Sequence, residues 1–148
     1  MGQNDREIGH VVEELQCLIG SPITGCWQPG RDRVVIGFGE RRLLMVPRGP
    51  YARIHLVQGR PRNPDRPFSF QGALRAHLRG RLVVVRKLEE DRIVRLDVGS
   101  VSMILRLTGR RGGLWLVKAR EVVAAYDGPA PATLPTLAAA DSVHRPAR

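Results

Sequence analysis

Apolar residues at Ile8, Val11, Val12, Leu15, Leu18 and Ile19 fall on one stripe, with Glu13 and Glu14 off it, and this spacing predicts an amphipathic helix over 6–19. Gly20-Ser21-Pro22 stops it, because glycine suits a left-handed cap and proline cannot continue a helix. From Pro22 the period shifts toward two. Apolar runs at 23–28, 33–38, 42–46 and 53–57 are separated by turn signals at Pro29–Asp32, Gly39-Glu40 and Pro47–Pro50, which predicts a four-stranded meander. Residues 58–67 hold three prolines and three arginines and predict an exposed loop. A second helix over 68–79 follows, with Phe70, Ala73, Leu74, His77 and Leu78 as its stripe and Arg75 and Arg79 an i,i+4 pair beside it.

Four more strands are predicted at 81–88, 91–98, 101–107 and 114–118, with Glu89-Glu90 and Gly109–Gly113 as hairpin turns and a last short strand or turn over 122–126. Leu82–Val85 is continuously apolar, the pattern of a strand covered on both faces. Val101, Met103, Leu105 and Leu107 alternate with Ser102 and Arg106. From Gly128 the composition turns to Pro, Ala and Thr, which reads as a disordered tail or linker over 128–148 beyond a domain at 1–127. The fold class is α+β: a β-sandwich-like sheet of about eight short strands with two helices.

The chain has 148 residues, room for one domain. It has no apolar run of about 18 residues to span a membrane. Met1–Glu7 is polar and of mixed charge, unlike a secretory signal, so the expected location is cytoplasmic. Two cysteines, Cys17 and Cys26, both in apolar contexts, make no disulfide framework and no CxxC pair. The four histidines are scattered: His10 reads as a surface residue, His55 and His77 as packing residues. No G-x-S-x-G occurs, and Gly109–Gly113 lies between strands rather than at a helix N-terminus, so it is no phosphate cradle. The expectation is no catalysis, no metal and no cofactor.

Charge is more informative. The net charge is +10, only Lys87 and Lys118 are lysines, and the stretch 41–81 carries ten arginines against one acid, Asp65. Guanidinium groups pair bidentately with phosphate and release counterions on binding, so this stretch predicts a polyanion-binding face. Arg53, Arg75, Arg79 and Arg81 are its candidate contacts. Asp91-Arg92, opening a strand, sets an acceptor beside a forked donor; that suits base edges or sugar hydroxyls as well as simple self-neutralisation.

The segments VVEELQCLIGSPI (11–23), Trp27-Gln28-Pro29, LLMVPRGPYARIHL (43–56), NPDRPFSFQGALRAHLRGRL (63–82), EDRIVRL (90–96) and LRLTGR (105–110) stand in an order that resembles the N-terminal domain of the NFACT family. These are ribosome-associated quality-control factors long labelled fibronectin-binding proteins. The resemblance covers residues 8–127 and implies a fold similar to the N-terminal domain of formamidopyrimidine-DNA glycosylases. It implies binding of tRNA and the large ribosomal subunit in rescue of stalled ribosomes, with C-terminal tailing of nascent chains in full-length relatives. The family's D-R pair maps onto Asp91 and Arg92.

The chain also departs from the family. H-P-x-Y appears as Gly49-Pro50-Tyr51, and G-R-H-S-N as Gly109-Arg110-Arg111-Gly112-Gly113. The acidic residue near the start of helix 1 falls at Asn4 or Asp5. Family members continue into helix-hairpin, coiled-coil and RNA-binding segments, so the expectation is a fragment or a degenerate stand-alone copy.

The leading reading is therefore a non-enzymatic RNA-binding module, with Asp91 and Arg92 contacting tRNA and the arginines of 41–81 contacting phosphates. The alternative is a protein-interaction module whose 58–67 loop and Pro/Ala tail dock a partner. A glycosylase reading fails at Gly2 and Gln3, where those enzymes carry a catalytic proline and a glutamate.

Overall fold

The computed structural model describes residues 3–59, 61–62, 64–88 and 92–127. The first helix, α1, spans Asp5–Leu15 and is followed by one 3-10 turn, Gln16–Leu18. A reciprocal capping box opens α1: Asn4 Oδ1 accepts from the Glu7 N–H at 2.8 Å, and Glu7 Oε1 accepts from the Asn4 N–H at 2.9 Å. Ile8, Val12, Leu15 and Leu18 are buried, as their spacing predicts. Ile19 is 43% exposed, because the helical period ends before it.

The meander follows as β1 (Ile23–Gly30), β2 (Arg33–Phe38), β3 (Arg41–Val46) and β4 (Arg53–Val57), an antiparallel sheet in chain order. The second helix, α2, spans Ser69–His77 and buries Phe70, Leu74 and, unexpectedly, Gln71. Gln71 is 2% exposed and earns its place by a backbone bond: its Oε1 accepts from the Gln28 N–H at 2.7 Å. The second sheet is β5 (Leu82–Leu88), β6 (Ile93–Val98), β7 (Val101–Arg106), β8 (Gly113–Lys118) and β9 (Glu121–Ala125), also antiparallel in chain order. Among the described residues nine strands form two sheets; the segment 121–125, expected as a last short strand or turn, pairs with β8 as a full strand.

One expectation is overturned. Leu82–Val85 is not covered on both faces: β5 is the edge of its sheet, and the pairing shifts between Leu82 and Val84. This bulge turns Val83 outward, where it is 51% exposed. The strand buried along its whole length is β6. The predicted turn at Glu89-Glu90 and the tail at 128–148 lie outside the described residues.

The two sheets share one core with both helices. α1 packs on β4 and β5, and α2 on β1 and β9, so each helix closes one open side of the sandwich. At one end the sheets are stitched together by backbone: Ile23 N–H to Gly80 O at 3.0 Å, Leu82 N–H to Ser21 O at 2.9 Å and Gly20 N–H to Leu82 O at 2.8 Å. No helix among the described residues is long and apolar enough to cross a membrane.

Candidate nucleic-acid interface

At the opposite end of the sandwich, where α1 starts, segments far apart in sequence meet. Gly49 N–H donates to Gly109 O at 3.3 Å, and Arg48 Nε to Gly112 O at 3.1 Å. A Cβ on Gly112 would overlap the Pro47 carbonyl oxygen, so only glycine lets the 47–49 and 109–112 segments approach this closely. Leu107 N–H donates to Arg92 O at 3.0 Å, and Arg92 Nη1 to Gln3 O at 3.4 Å. Gln3 in turn donates its N–H to Ala52 O at 3.1 Å. Tyr126 OH donates to Arg31 O at 2.5 Å, which adds the β1–β2 turn to the cluster.

This loop end gathers Arg31, Arg33, Arg48, Arg53, Arg92 and Arg111. Arg48 is held by Asp127 at 2.8 Å and Arg33 by Asp32 at 3.1 Å. The hydrogen bond from Arg33 holds the Asp32 carboxyl below the usual carboxylate range, with the Arg53 charge adding to it. Burial pushes the Tyr126 hydroxyl up, and the nearby Asp127 and Asp32 charges push the same way. Arg53 Nε donates to His55 Nε2 at 3.2 Å and its Nη1 to Tyr51 O at 3.1 Å. The other ring nitrogen of His55, Nδ1, lies 3.0 Å from Leu56 O, so both ring nitrogens meet polar partners. Tyr51 stands 62% exposed at the rim.

Arg92 adopts φ +49°, a left-handed conformation that costs a non-glycine residue about 1 kcal/mol. Its neighbour Asp91 lies outside the described residues. The other predicted contacts do not join this cluster. Arg75 Nε donates to Cys26 O at 3.1 Å, Arg79 Nε to Ala76 O at 3.3 Å and Arg81 Nη1 to Gly20 O at 2.8 Å. They lie around the end of α2 and the stitched end of the sandwich, roughly 20 Å from Arg92 by the length of α1 and its 3-10 turn. The arginine-rich stretch 41–81 is therefore not one patch: Arg48 and Arg53 lie at the loop end, Arg79 and Arg81 at the other.

Sequence reasoning included Arg48 only as one of the ten arginines of 41–81, and passed over Arg111 and Gln3 as contacts. The first two occupy turns that the family resemblance had already marked, through the departures at Gly49 and Gly109–Gly113. Gln3 gives no signal in sequence, since its role is a set of backbone contacts. Among the described residues no three His, Cys, Asp or Glu side chains gather as a metal site.

The profile of the NFACT N-terminal and middle domains matches residues 7–127. Relatives named Rqc2 homolog RqcH are 29% identical over 123 residues in Streptococcus pneumoniae and 27% identical over 127 residues in Streptococcus suis. These alignments cover 73% and 76% of this chain but only 22% and 23% of the relatives, so the chain spans about a fifth of their length. Among solved structures, the N-terminal domain of the fibronectin-binding protein PavA from Streptococcus pneumoniae superposes with a TM-score of 0.74 at 23% identity, over 86% of this chain and 58% of that one. The N-terminal part of the fibronectin/fibrinogen-binding protein from Streptococcus suis gives 0.76 at 23% identity, over 81% and 51%. The two sheets and two flanking helices are the fold of those domains. With a match running from the first turn of α1 to the end of β9, the chain belongs to the NFACT family.

Proposed function

We propose that this domain is a non-enzymatic RNA-binding module, acting in the cytoplasm on tRNA and the large ribosomal subunit in the rescue of stalled ribosomes. The observation that carries the reading is the meeting of Arg92, the 47–53 segment and the 109–112 turn at one basic end of the sandwich. Three of the six segments that carry the family resemblance, 43–56, 90–96 and 105–110, reach this end. Arg92 and Asp91 serve as the contacts that discriminate between RNAs, and Arg53, Arg48 and Arg111 supply phosphate contacts. Arg75, Arg79 and Arg81, at the other end, supply a second phosphate footprint; one tRNA is long enough to touch both. C-terminal tailing belongs to full-length relatives and needs parts beyond this domain.

The test is a salt titration of binding to tRNA, purified large subunits and a mixed-sequence DNA duplex. It compares the wild type with an Asp91→Ala/Arg92→Gly variant and an Arg79→Ala/Arg81→Ala variant. A preference for tRNA or the subunit that survives near-physiological salt and vanishes in the first variant supports the reading. The second variant reduces the salt slope by about one unit or more without changing the preference. Equal binding to all three, lost with salt and blind to both variants, overturns it.

The names of the solved relatives favour a second reading, a protein-interaction module. Binding of immobilised fibronectin at a strength that tRNA does not compete away would support that reading instead.

A further inference from the structure

The outer surface of the four-stranded sheet carries an arrangement the loop end does not use. Trp27, Val35, Leu44 and His55 stand in register across β1 to β4, and the next row is Gly25, Gly37, Arg42 and Val57. The indole of Trp27 extends over that second row. A Cβ on Gly25 would overlap the ring, and one on the facing Gly37 would lie 3.3 Å from it. The paired glycines thus form a flat floor on which the indole lies along the sheet rather than standing on it. Its guard is Arg42, whose Cζ is 5.9 Å from the ring centroid. Beside them Thr24, Trp27, Gly39, Glu40, Arg42 and Pro61 line an open cleft of about 750 Å³, in the size range that takes a nucleotide.

We propose that this face is a platform for an unpaired segment of RNA, with a base stacked on Trp27. The Arg42 guanidinium moves from the indole to the backbone phosphates, and the Glu40 carboxylate accepts from a base amino group or a ribose hydroxyl. A protein partner is the poorer match, because the apolar floor of Val35, Leu44 and Val46 is already covered, at 4%, 7% and 4% exposure. What is left to contact is one laid-flat aromatic ring with the Arg42 guanidinium over it, the combination that binds single strands through stacking and phosphate pairing. The platform takes its ligand class from the RNA-binding reading but not its location: Arg42 lies at the start of β3, and the loop end is reached beyond Val46 at its other terminus.

The chain has two tryptophans, and Trp115 is buried, so a Trp115→Phe background leaves Trp27 as the only indole reporter. An oligouridylate octamer titrated into that protein should quench Trp27 emission saturably, and inorganic polyphosphate, which has charge but no bases, should not. Trp27→Leu and Arg42→Gln should each weaken octamer binding about 10-fold by fluorescence anisotropy. Arg42→Gln, together with the quenching itself, decides the matter if Trp27→Leu fails to fold. Octamer binding with unchanged Trp27 emission, or equal quenching by polyphosphate, overturns the platform. Arg92→Gly separates the two readings. Intact quenching with tRNA binding blind to Arg92→Gly sinks the loop-end assignment alone; no quenching with Arg92-dependent tRNA binding sinks the platform alone.

Discussion

The side-chain amide of Gln3 pairs with the backbone of Ile54 in both directions: Nε2 donates to the carbonyl at 2.9 Å, and Oε1 accepts from the N–H at 2.7 Å. One side chain thus does what a neighbouring strand would do for β4, the outer edge of its sheet, and blunts that edge. The same residue presents its carbonyl oxygen to Arg92, so the edge of one sheet and the first residue before β6 are tied through a single glutamine.

Gln3→Ala removes both bonds and should cost about 1–2 kcal/mol in urea unfolding. Gln3→Glu is the sharper test. A carboxylate still accepts from the Ile54 N–H but faces the Ile54 carbonyl with a second oxygen, so at pH 7 it should be at least as damaging as alanine. Folding then raises the pKa of the new carboxyl, and stability recovers as pH falls and the protonated acid regains the donor of the amide. Wild-type stability of Gln3→Glu at pH 7 would show that the pairing contributes nothing.

At Arg92 the backbone and the side chain make separable predictions. Glycine occupies φ +49° without the steric cost that any Cβ pays there, and both variants lose the bond to Gln3 O, so Arg92→Gly should be about 1 kcal/mol more stable than Arg92→Ala. Both variants lose the guanidinium, so both should bind tRNA equally weakly. A residue kept in a strained conformation while a better-fitting glycine binds as well as arginine would have no part in RNA contact.

The local pattern of the chain carried most of the fold. The period-two runs at 33–38 and 53–57 are strands at those bounds, and the helical stripe of 6–19 is α1 with its 3-10 turn. What escaped was decided by tertiary placement. Val83 is as apolar as Val85, and only its position in a bulge on an edge strand turns it outward. Gln71 reads as a surface residue until the Gln28 N–H needs an acceptor beneath α2. Arg92 was visible as half of an Asp-Arg pair, but its ties to Gln3 and Leu107 were not, because no local pattern encodes contacts across such sequence separations. The same limit made the arginines of 41–81 look like one patch, when the fold sends Arg48 and Arg53 to one end of the sandwich and Arg79 and Arg81 to the other.

The outer face of the five-stranded sheet holds a buried ion pair that tests differently. Arg95 Nε and Nη2 donate to the two carboxylate oxygens of Asp97 at 2.8 and 3.1 Å, and Ser102, its cross-strand partner, donates at 2.7 Å. Asp97→Ala leaves the Arg95 charge buried without this carboxylate and should cost about 3–5 kcal/mol. Ser102→Ala should cost only about 1 kcal/mol. A joint Arg95→Met/Asp97→Leu exchange should recover much of the loss, since removing both charges also removes their desolvation. Urea midpoints of the three variants check the order, and Asp97→Ala within 1 kcal/mol of the wild type contradicts it.

The two thiols should part company with pH. Cys17 is exposed and Cys26 buried, and burial pushes the Cys26 thiol from 9.0 up to about 11, against a smaller opposing pull from Arg75. At pH 8 one thiol per folded chain should therefore react quickly with a thiol-specific disulfide reagent, and the second only on unfolding. The folded state holds the Cys26 proton more tightly than the unfolded chain does. The stability linked to it is accordingly complete below about pH 9 and is lost as pH rises toward about 11, a change of roughly 2–3 kcal/mol. Tyr126 is raised from its ordinary value of 10.0 and contributes in the same direction at the alkaline end. Cys26→Ala and Tyr126→Phe, each compared with the wild type in urea midpoints from pH 8 to pH 11, divide the two contributions. The Cys26 variant should flatten the curve from its lower end, and the tyrosine variant only above pH 10. A Cys26→Ala protein whose stability falls as steeply as the wild type across that range would show that the buried thiol has no share in the alkaline loss.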